Sequence, residues 1–128
     1  MAFLDETGLA ELWSLVREAD VKIAVGSYTG AGYAGPNYKN SLTFDFEPKL
    51  VIVMDQSELT GWQYIFVNGK TKVQCVPEAS YAATVSWSDN TVTWWMADAS
   101  SSSNATNSGY VKHQFNTSGA TYHYFAIG

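Results

Sequence analysis

Two histidines, His113 and His123, one cysteine, Cys75, and twelve carboxylates are the side chains of this 128-residue chain with the chemistry to move protons, attack a carbon or hold a metal. A catalytic set needs a nucleophile or metal with a base and an orienting group placed around it. Neither histidine sits in such company. His113 alternates with Val111 and Phe115, and His123 with Phe125 and Ile127, a strand-like pattern that turns both rings into packed surface. Cys75 lies in the plain run TKVQCV, without the helix N-terminus or basic neighbours that lower a thiol pKa. Asp45 with Glu47, and Asp55 with Glu58, are carboxylate pairs close in sequence, but neither has the spacing of a calcium loop. TGAGYAG leads into Pro36 and further loop, whereas a phosphate cradle lies between a strand and a helix. Asn104-Ala105-Thr106 and Asn116-Thr117-Ser118 match the glycosylation pattern, a short motif that often occurs by chance. The expectation is a protein that is not an enzyme, with no cofactor and no metal site.

Charge and composition narrow the partners. The formal net charge is −5 and the seven basic residues are scattered, which argues against nucleic acid. A single cysteine excludes an internal disulfide. No apolar run is long enough for membrane insertion. The N-terminus carries acids where a signal peptide has a basic start, so synthesis in a bacterial-type cytoplasm is expected.

Binding surface is the stronger theme. Aromatic residues make up 15% of the chain. Trp94 and Trp95 are adjacent in a strand-like run and must point to opposite faces. Trp94 joins Val92 and Met96 as core, and Trp95 joins Thr91 and Thr93 outside. Two long loops, residues 29–40 and 97–109, combine Tyr or Ser with Gly and Asn, the mixture of rigid aromatic and adaptable polar contacts that antibody loops use. Tyr33, Tyr38 and Trp95 are the candidate ligand-binding residues.

The elements that must carry these residues read as mainly β: an antiparallel β-sandwich, jelly-roll-like, with one short N-terminal α-helix. Residues 1–20 form the helical element and residues 21–128 the sandwich. Leu9, Leu12, Trp13 and Val16 fall at helical spacing, with Thr7 as a cap, predicting a helix over residues 8–19. Val21, Ile23 and Val25 share one strand face, as do Leu42, Phe44 and Phe46. KLVIVM is apolar on both faces. Asn68-Gly69 predicts a hairpin from GWQYIFV into TKVQCV. A second hairpin turns at Ser88-Asp89-Asn90. YVKHQF and TYHYFAI read as the last two strands, joined through residues 116–119, with Phe125 and Ile127 opposed to Tyr122 and Tyr124, whose outer face needs cover.

Three stretches, FLDETGLAELWSLVREA, KIAVGSYTGAG with SLTFDFEPKLVIVM, and the closing SGATYHYFAIG, resemble minor structural proteins of the tail fibre or tail tip in phages and prophages of Gram-positive bacteria. FDFEPK stands where that pattern has a glycine-containing turn. The matching positions are framework, so no receptor site is carried over. The resemblance implies a virion tail component made in the bacterial host cytoplasm. Its implied partners are other tail proteins, further copies of itself in a homo-oligomer, above all a trimer, and a host cell-surface carbohydrate or protein. Leu9, Leu12, Trp13 and Val16 are then the candidate oligomerisation stripe; the other expectation is a helix that caps its own sandwich. The alternative class is a free-standing carbohydrate-binding module using Trp95 and Trp62, which has no need of an apolar helix before its first strand.

Overall fold

A computed structural model describes residues 10–11, 21–55, 61–77, 80–99, 102–106 and 108–128. Two four-stranded antiparallel sheets pack face to face as a β-sandwich. Among the described residues the strands are β1 (Ile23–Thr29), β2 (Asn40–Thr43), β3 (Leu50–Asp55), β4 (Gln63–Val67), β5 (Lys72–Gln74), β6 (Ala82–Ser88), β7 (Thr91–Trp95) and β8 (Thr121–Ile127). Sheet one has the order β1-β8-β3-β4, and sheet two β2-β7-β6-β5. Two short helices, α1 (Ser102–Ala105) and α2 (Ser108–His113), lie between β7 and β8. Ala10 and Glu11 are helical. The expected stripe of Leu9, Leu12, Trp13 and Val16 lies outside the described residues. Among those described, no helix is long and apolar enough to cross a membrane.

Sheet two follows its sequence pattern closely. Val92, Trp94 and Met96 are buried, and Trp95 faces outward with Thr91 and Thr93. The β6–β7 hairpin closes through Asp89 and Asn90, with Ser88 paired to Thr91 and Asp89 at φ +49°. Aspartate tolerates that left-handed geometry better than most residues.

Sheet one inverts two expectations. Its interior is built from Tyr122, Tyr124 and Ala126 of β8, Val51 and Val53 of β3, and Tyr64 and Phe66 of β4. Phe125, Ile127 and His123 therefore face outward, and His123 is exposed rather than packed. Val21, Ile23 and Val25 are likewise outside. Alternation identifies a strand but leaves the choice of face open when both faces are apolar. Here bulk and hydroxyl reach decide. On β1 the inward residues are Ala24, Gly26 and Tyr28. A Cβ on Gly26 would overlap the Tyr124 ring. Tyr28 stacks on its register partner Tyr122 with centroids 5.1 Å apart.

Two further expectations fail. Asn68-Gly69 does make a turn, with Gly69 at φ +95°, but β5 does not return beside β4; it crosses to sheet two and pairs with β6. Mutual Gln63–Val76 backbone hydrogen bonds, both 2.9 Å, join the start of β4 to the residues just past β5, as a seam between the sheets.

The second failure is YVKHQF, which forms most of α2 instead of a strand, so the turn at 116–119 leads out of a helix. His113, Gln114, Phe115 and Asn116 are all buried, a run that no strand with one wet face accommodates. Phe115, at φ +62°, occupies the left-handed position that ends a helix. Asn116 N donates to Val111 O at 3.0 Å and Phe115 N to Lys112 O at 3.2 Å, the paired bonds of a Schellman ending. Glycine is usual there. Phenylalanine is retained because its ring fills the core between Tyr64 and Tyr122, at 4.8 and 5.4 Å.

Candidate functional site

The carbonyls at the end of α2 have no helical partners of their own and need donors. Core side chains supply them. Tyr64 Oη donates to His113 O (2.6 Å), Trp94 Nε1 to Gln114 O (2.9 Å) and Tyr28 Oη to Phe115 O (2.8 Å). Asn40 Nδ2 donates to the carbonyls of both Gln114 and Phe115, at 3.0 and 3.1 Å. Burial raises the Tyr28 and Tyr64 phenols well above the ordinary tyrosine range, with Tyr122 adding to the effect at Tyr28 and Cys75 at Tyr64. Both hydroxyls therefore stay neutral donors.

From this anchored turn two side chains reach out and hold the 29–40 loop. Gln114 Oε1 accepts from Gly35 N (2.8 Å) and Met96 N (2.9 Å), while its Nε2 donates to Tyr38 O (2.7 Å) and Asn40 Oδ1 (3.2 Å). Asn116 Oδ1 accepts from Ala31 N (2.8 Å), and its Nδ2 donates to Tyr33 O (2.7 Å). Ala34 N donates to Ala105 O at 2.8 Å, joining the 29–40 loop to the 97–109 segment. That segment, expected to be an open loop, holds α1 and the start of α2.

Gly35 packs directly on Ala99. A Cβ there would fall on the Ala99 carbonyl oxygen, and its φ of +109° belongs to glycine. Gly35→Ala is expected to destabilise the fold by more than about 1 kcal/mol, since both the clash and the dihedral oppose it. A thermal midpoint equal to that of the unmodified protein would contradict this.

The loop so fixed presents Tyr33 and Tyr38 to solvent, 43% and 45% exposed. Their rings stack, with centroids 4.7 Å apart and planes at 18°. Lys39, next along the chain, sets its ammonium 4.2 Å from the centroid of the Trp95 ring. The three expected ligand-binding residues thus lie on one continuous stretch of surface, linked by Lys39.

From Trp95 the outer face of sheet two continues as a polar field. Register places Trp95 beside Thr84, and Thr84 beside Lys72. Two more rows carry only hydroxyls: Ser41–Thr93–Ser86 and Thr43–Thr91–Ser88. Within them Ser41 Oγ and Thr93 Oγ1 are 3.0 Å apart, and Thr43 and Thr91 Oγ1 2.8 Å. At the β5 side the field enters a cleft of about 440 Å³, lined by Lys72, Gln74, Thr84, Tyr81, Asp98 and Tyr110. Tyr81 and Tyr110 meet edge to face at 5.6 Å. Tyr81 also stacks on His113 at 3.9 Å, and Trp62, the other ring against that histidine, lies 4.4 Å from it. Trp62 is thus half-buried, in contrast to the open platform at Tyr33 and Tyr38.

His113 Nδ1 lies 2.7 Å from Gly109 O, so that nitrogen carries the proton; Nε2 is buried and has no hydrogen-bond partner. Cys75 is fully buried in the core. Asp45 and Glu47 are exposed, Asp55 is buried, and Glu58 lies outside the described residues. Among the described residues no three His, Cys, Asp or Glu side chains gather as metal ligands. Asn116 of the second glycosylation-like motif is buried with its amide engaged.

The fold and this surface define a β-sandwich with an aromatic loop platform at one end of a polar sheet face. No known protein family matches the chain, and neither a curated protein nor a solved structure does.

Proposed function

We propose that this chain is a non-enzymatic recognition module that binds cell-surface carbohydrate through the outer face of sheet two, as a tail-associated protein of a phage of Gram-positive bacteria. The observation that carries the binding half is the Tyr33–Tyr38 stack, exposed yet fixed by backbone hydrogen bonds to buried Gln114 and Asn116. Exposed aromatic rings held in place before the ligand arrives lose little entropy on binding. Sugars offer apolar ring faces and many hydroxyls, and the surface offers both counterparts: Tyr33, Tyr38 and Trp95 for the faces, and the Ser and Thr rows, Lys72, Gln74 and Asp98 for the hydroxyls. Acidic overall charge and the scarcity of bases on this face disfavour a polyanionic ligand.

The tail assignment rests on the resemblance of the two ends and the Lys22–Met54 region to tail proteins. Localisation to the virion tail, contact with other tail proteins and homo-oligomerisation as a trimer belong to the same reading. The free-standing carbohydrate-binding module shares the site but has no virion partner.

The test is binding of purified protein to Gram-positive cell-wall polysaccharide, with immunogold microscopy of virions and light scattering on the same preparation. Tyr33→Ala, Tyr38→Ala and Trp95→Ala together are expected to weaken binding at least about 30-fold with an unchanged circular-dichroism spectrum, the loss typical of removing one anchor residue or more. Undiminished binding by the triple variant would remove the site. Labelled tails and a mass near three chains are expected; unlabelled virions with retained glycan binding would favour the free-standing module.

A further inference from the structure

The outer face of sheet two is not level. The row Trp95–Thr84–Lys72 carries an indole, a hydroxyl and a long cation. One row further on, Gln74 pairs with Ala82, and Ala97 stands two residues past Trp95. Two methyl groups there replace an indole and a threonine, so the surface drops. The cleft of about 440 Å³ occupies this drop, a volume within the range of small-molecule sites. Tyr81 and Tyr110 wall it, and both are held from behind. Tyr81 stacks on buried His113, while Tyr110 meets Tyr81 edge to face and its carbonyl accepts from Gln114 N at 2.9 Å. A wall that stands before the ligand arrives costs little ordering on binding.

The groups facing the cleft make three separate demands. The Lys72 ammonium can only donate hydrogen bonds, and the Asp98 carboxylate can only accept them. Among the described residues neither is in an ion pair, and the Thr84 hydroxyl has no hydrogen-bond partner. Ala82 and Ala97, with the tyrosine rings, form an apolar corner. An acetamido group answers all three: its carbonyl accepts from Lys72, its N–H donates to Asp98, and its methyl fills the corner. Other sugar substituents answer fewer. A carboxylate or phosphate meets the like charge of Asp98, and a free amine meets that of Lys72. A plain hydroxyl satisfies the polar groups but leaves the corner empty. We infer that the cleft is the subsite for a neutral, N-acetylated hexosamine residue of the glycan. This rests on the carbohydrate-binding reading and adds to it the identity of the sugar that is selected. The two ends of the face then differ in task. Tyr33 and Tyr38 stack on any sugar ring presented to them, whereas the cleft discriminates by substituent. A glycan with its N-acetylated residue in the cleft runs over Thr84 and Trp95, whose ring Lys39 joins to the platform.

The experiment titrates the full, isotope-labelled chain with N-acetylglucosamine, N-acetylgalactosamine, glucosamine, glucose and galactose, and follows the amide signals by NMR. At least one of the two N-acetylated sugars is expected to shift the signals of Ala82, Thr84 and Asp98, with an affinity at least about tenfold above that of its parent hexose, the discrimination that one methyl group gives in a fitted pocket. Equal affinity for the hexose, stronger binding of glucosamine, or shifts confined to the 29–40 loop would overturn the assignment. Ala82→Leu fills the floor of the cleft and is expected to abolish the shifts at Thr84 and Asp98. Asp98→Lys, at an exposed turn position, alters no packing and is expected to weaken the N-acetylated sugar at least tenfold. Unchanged affinity in Asp98→Lys, or in a folded Ala82→Leu protein, would equally defeat it. The two readings fail separately. Cell-wall polysaccharide that binds while neither N-acetylated sugar shifts the cleft removes this subsite and leaves the platform. Cleft shifts in a protein that binds no such polysaccharide keep the subsite and remove the cell-wall ligand.

Discussion

Gln114→Ala is expected to lower the unfolding free energy by about 3–5 kcal/mol, a large share of the 5–15 kcal/mol typical of a domain. The side chain is fully buried and makes four hydrogen bonds. Truncation strands the amides of Gly35 and Met96 and removes a donor from Tyr38 O and Asn40 Oδ1. Each buried amide left unpaired costs about 1–3 kcal/mol. Water entering the vacated space offsets part of this, which sets the lower figure. Gln114→Glu is a sharper probe. It keeps the size and one acceptor, but sets a second carboxylate oxygen against two oxygens that expect a donor, in a buried site. It is expected to cost at least as much as alanine at neutral pH. Urea unfolding gives the energies, and amide exchange at Gly35 and Met96 reports whether the loop is released. A loss under about 1 kcal/mol with both amides still protected would mean that the network is dispensable.

The consequence reaches the platform. Gln114 and Asn116 are the residues that turn a Gly-rich loop into a fixed surface, so Tyr33 and Tyr38 lose their positions when the network goes. The position of the aromatic platform is thus set by buried amide side chains rather than by the loop's own composition.

How much of this the sequence discloses differs between elements, for physical reasons. Sheet two is legible because Val92, Trp94 and Met96 alternate with Thr91, Thr93 and Trp95, and the two threonines mark the outer face. In sheet one both faces are apolar. Alternation finds β1, β3 and β8 but cannot orient them, and the tyrosines lie inside because their hydroxyls find partners at the end of the sandwich: Tyr28 at Phe115 O, and Tyr122 accepting from Thr117 N at 3.0 Å. At Asn68-Gly69 the turn is local and visible, whereas the crossing to the other sheet is set by long-range pairing. Helix α2 is hidden because Val111, His113 and Phe115 suit a strand equally well, and a phenylalanine stands where a terminating glycine would announce the helix. Tyr33, Tyr38 and Trp95 are legible as aromatic residues in polar surroundings. Gln114 and Asn116 are not: within KHQFNTSG they look like solvated polar residues, and only the fold shows what they hold.

Alkaline pH should expose the same architecture from the core side. Stability is expected to be flat up to about pH 10 and then to fall as the pH rises, by about 1.4 kcal/mol per pH unit for each of Tyr28 and Tyr64. The sign follows from the proton count. In the unfolded chain a tyrosine loses its proton near pH 10. In the fold, burial holds both phenols above that range, so the native state keeps protons that the unfolded state has released. Their contribution is present below the unfolded pKa and is lost between that value and the higher folded one. The two groups act in the same direction, so the loss steepens where both are still protonated in the fold and ionised in the unfolded chain. The chain must unfold for the hydroxyls to ionise, since in the fold each is buried and donates to a main-chain carbonyl. Urea unfolding at a series of pH values gives the proton number from the slope. Tyr28→Phe and Tyr64→Phe are each expected to lose about 1 kcal/mol at neutral pH, for the missing hydrogen bond, and to reduce the alkaline slope by about one proton. A slope unchanged by both substitutions would show that other groups drive the alkaline transition and that these phenols titrate freely in the fold.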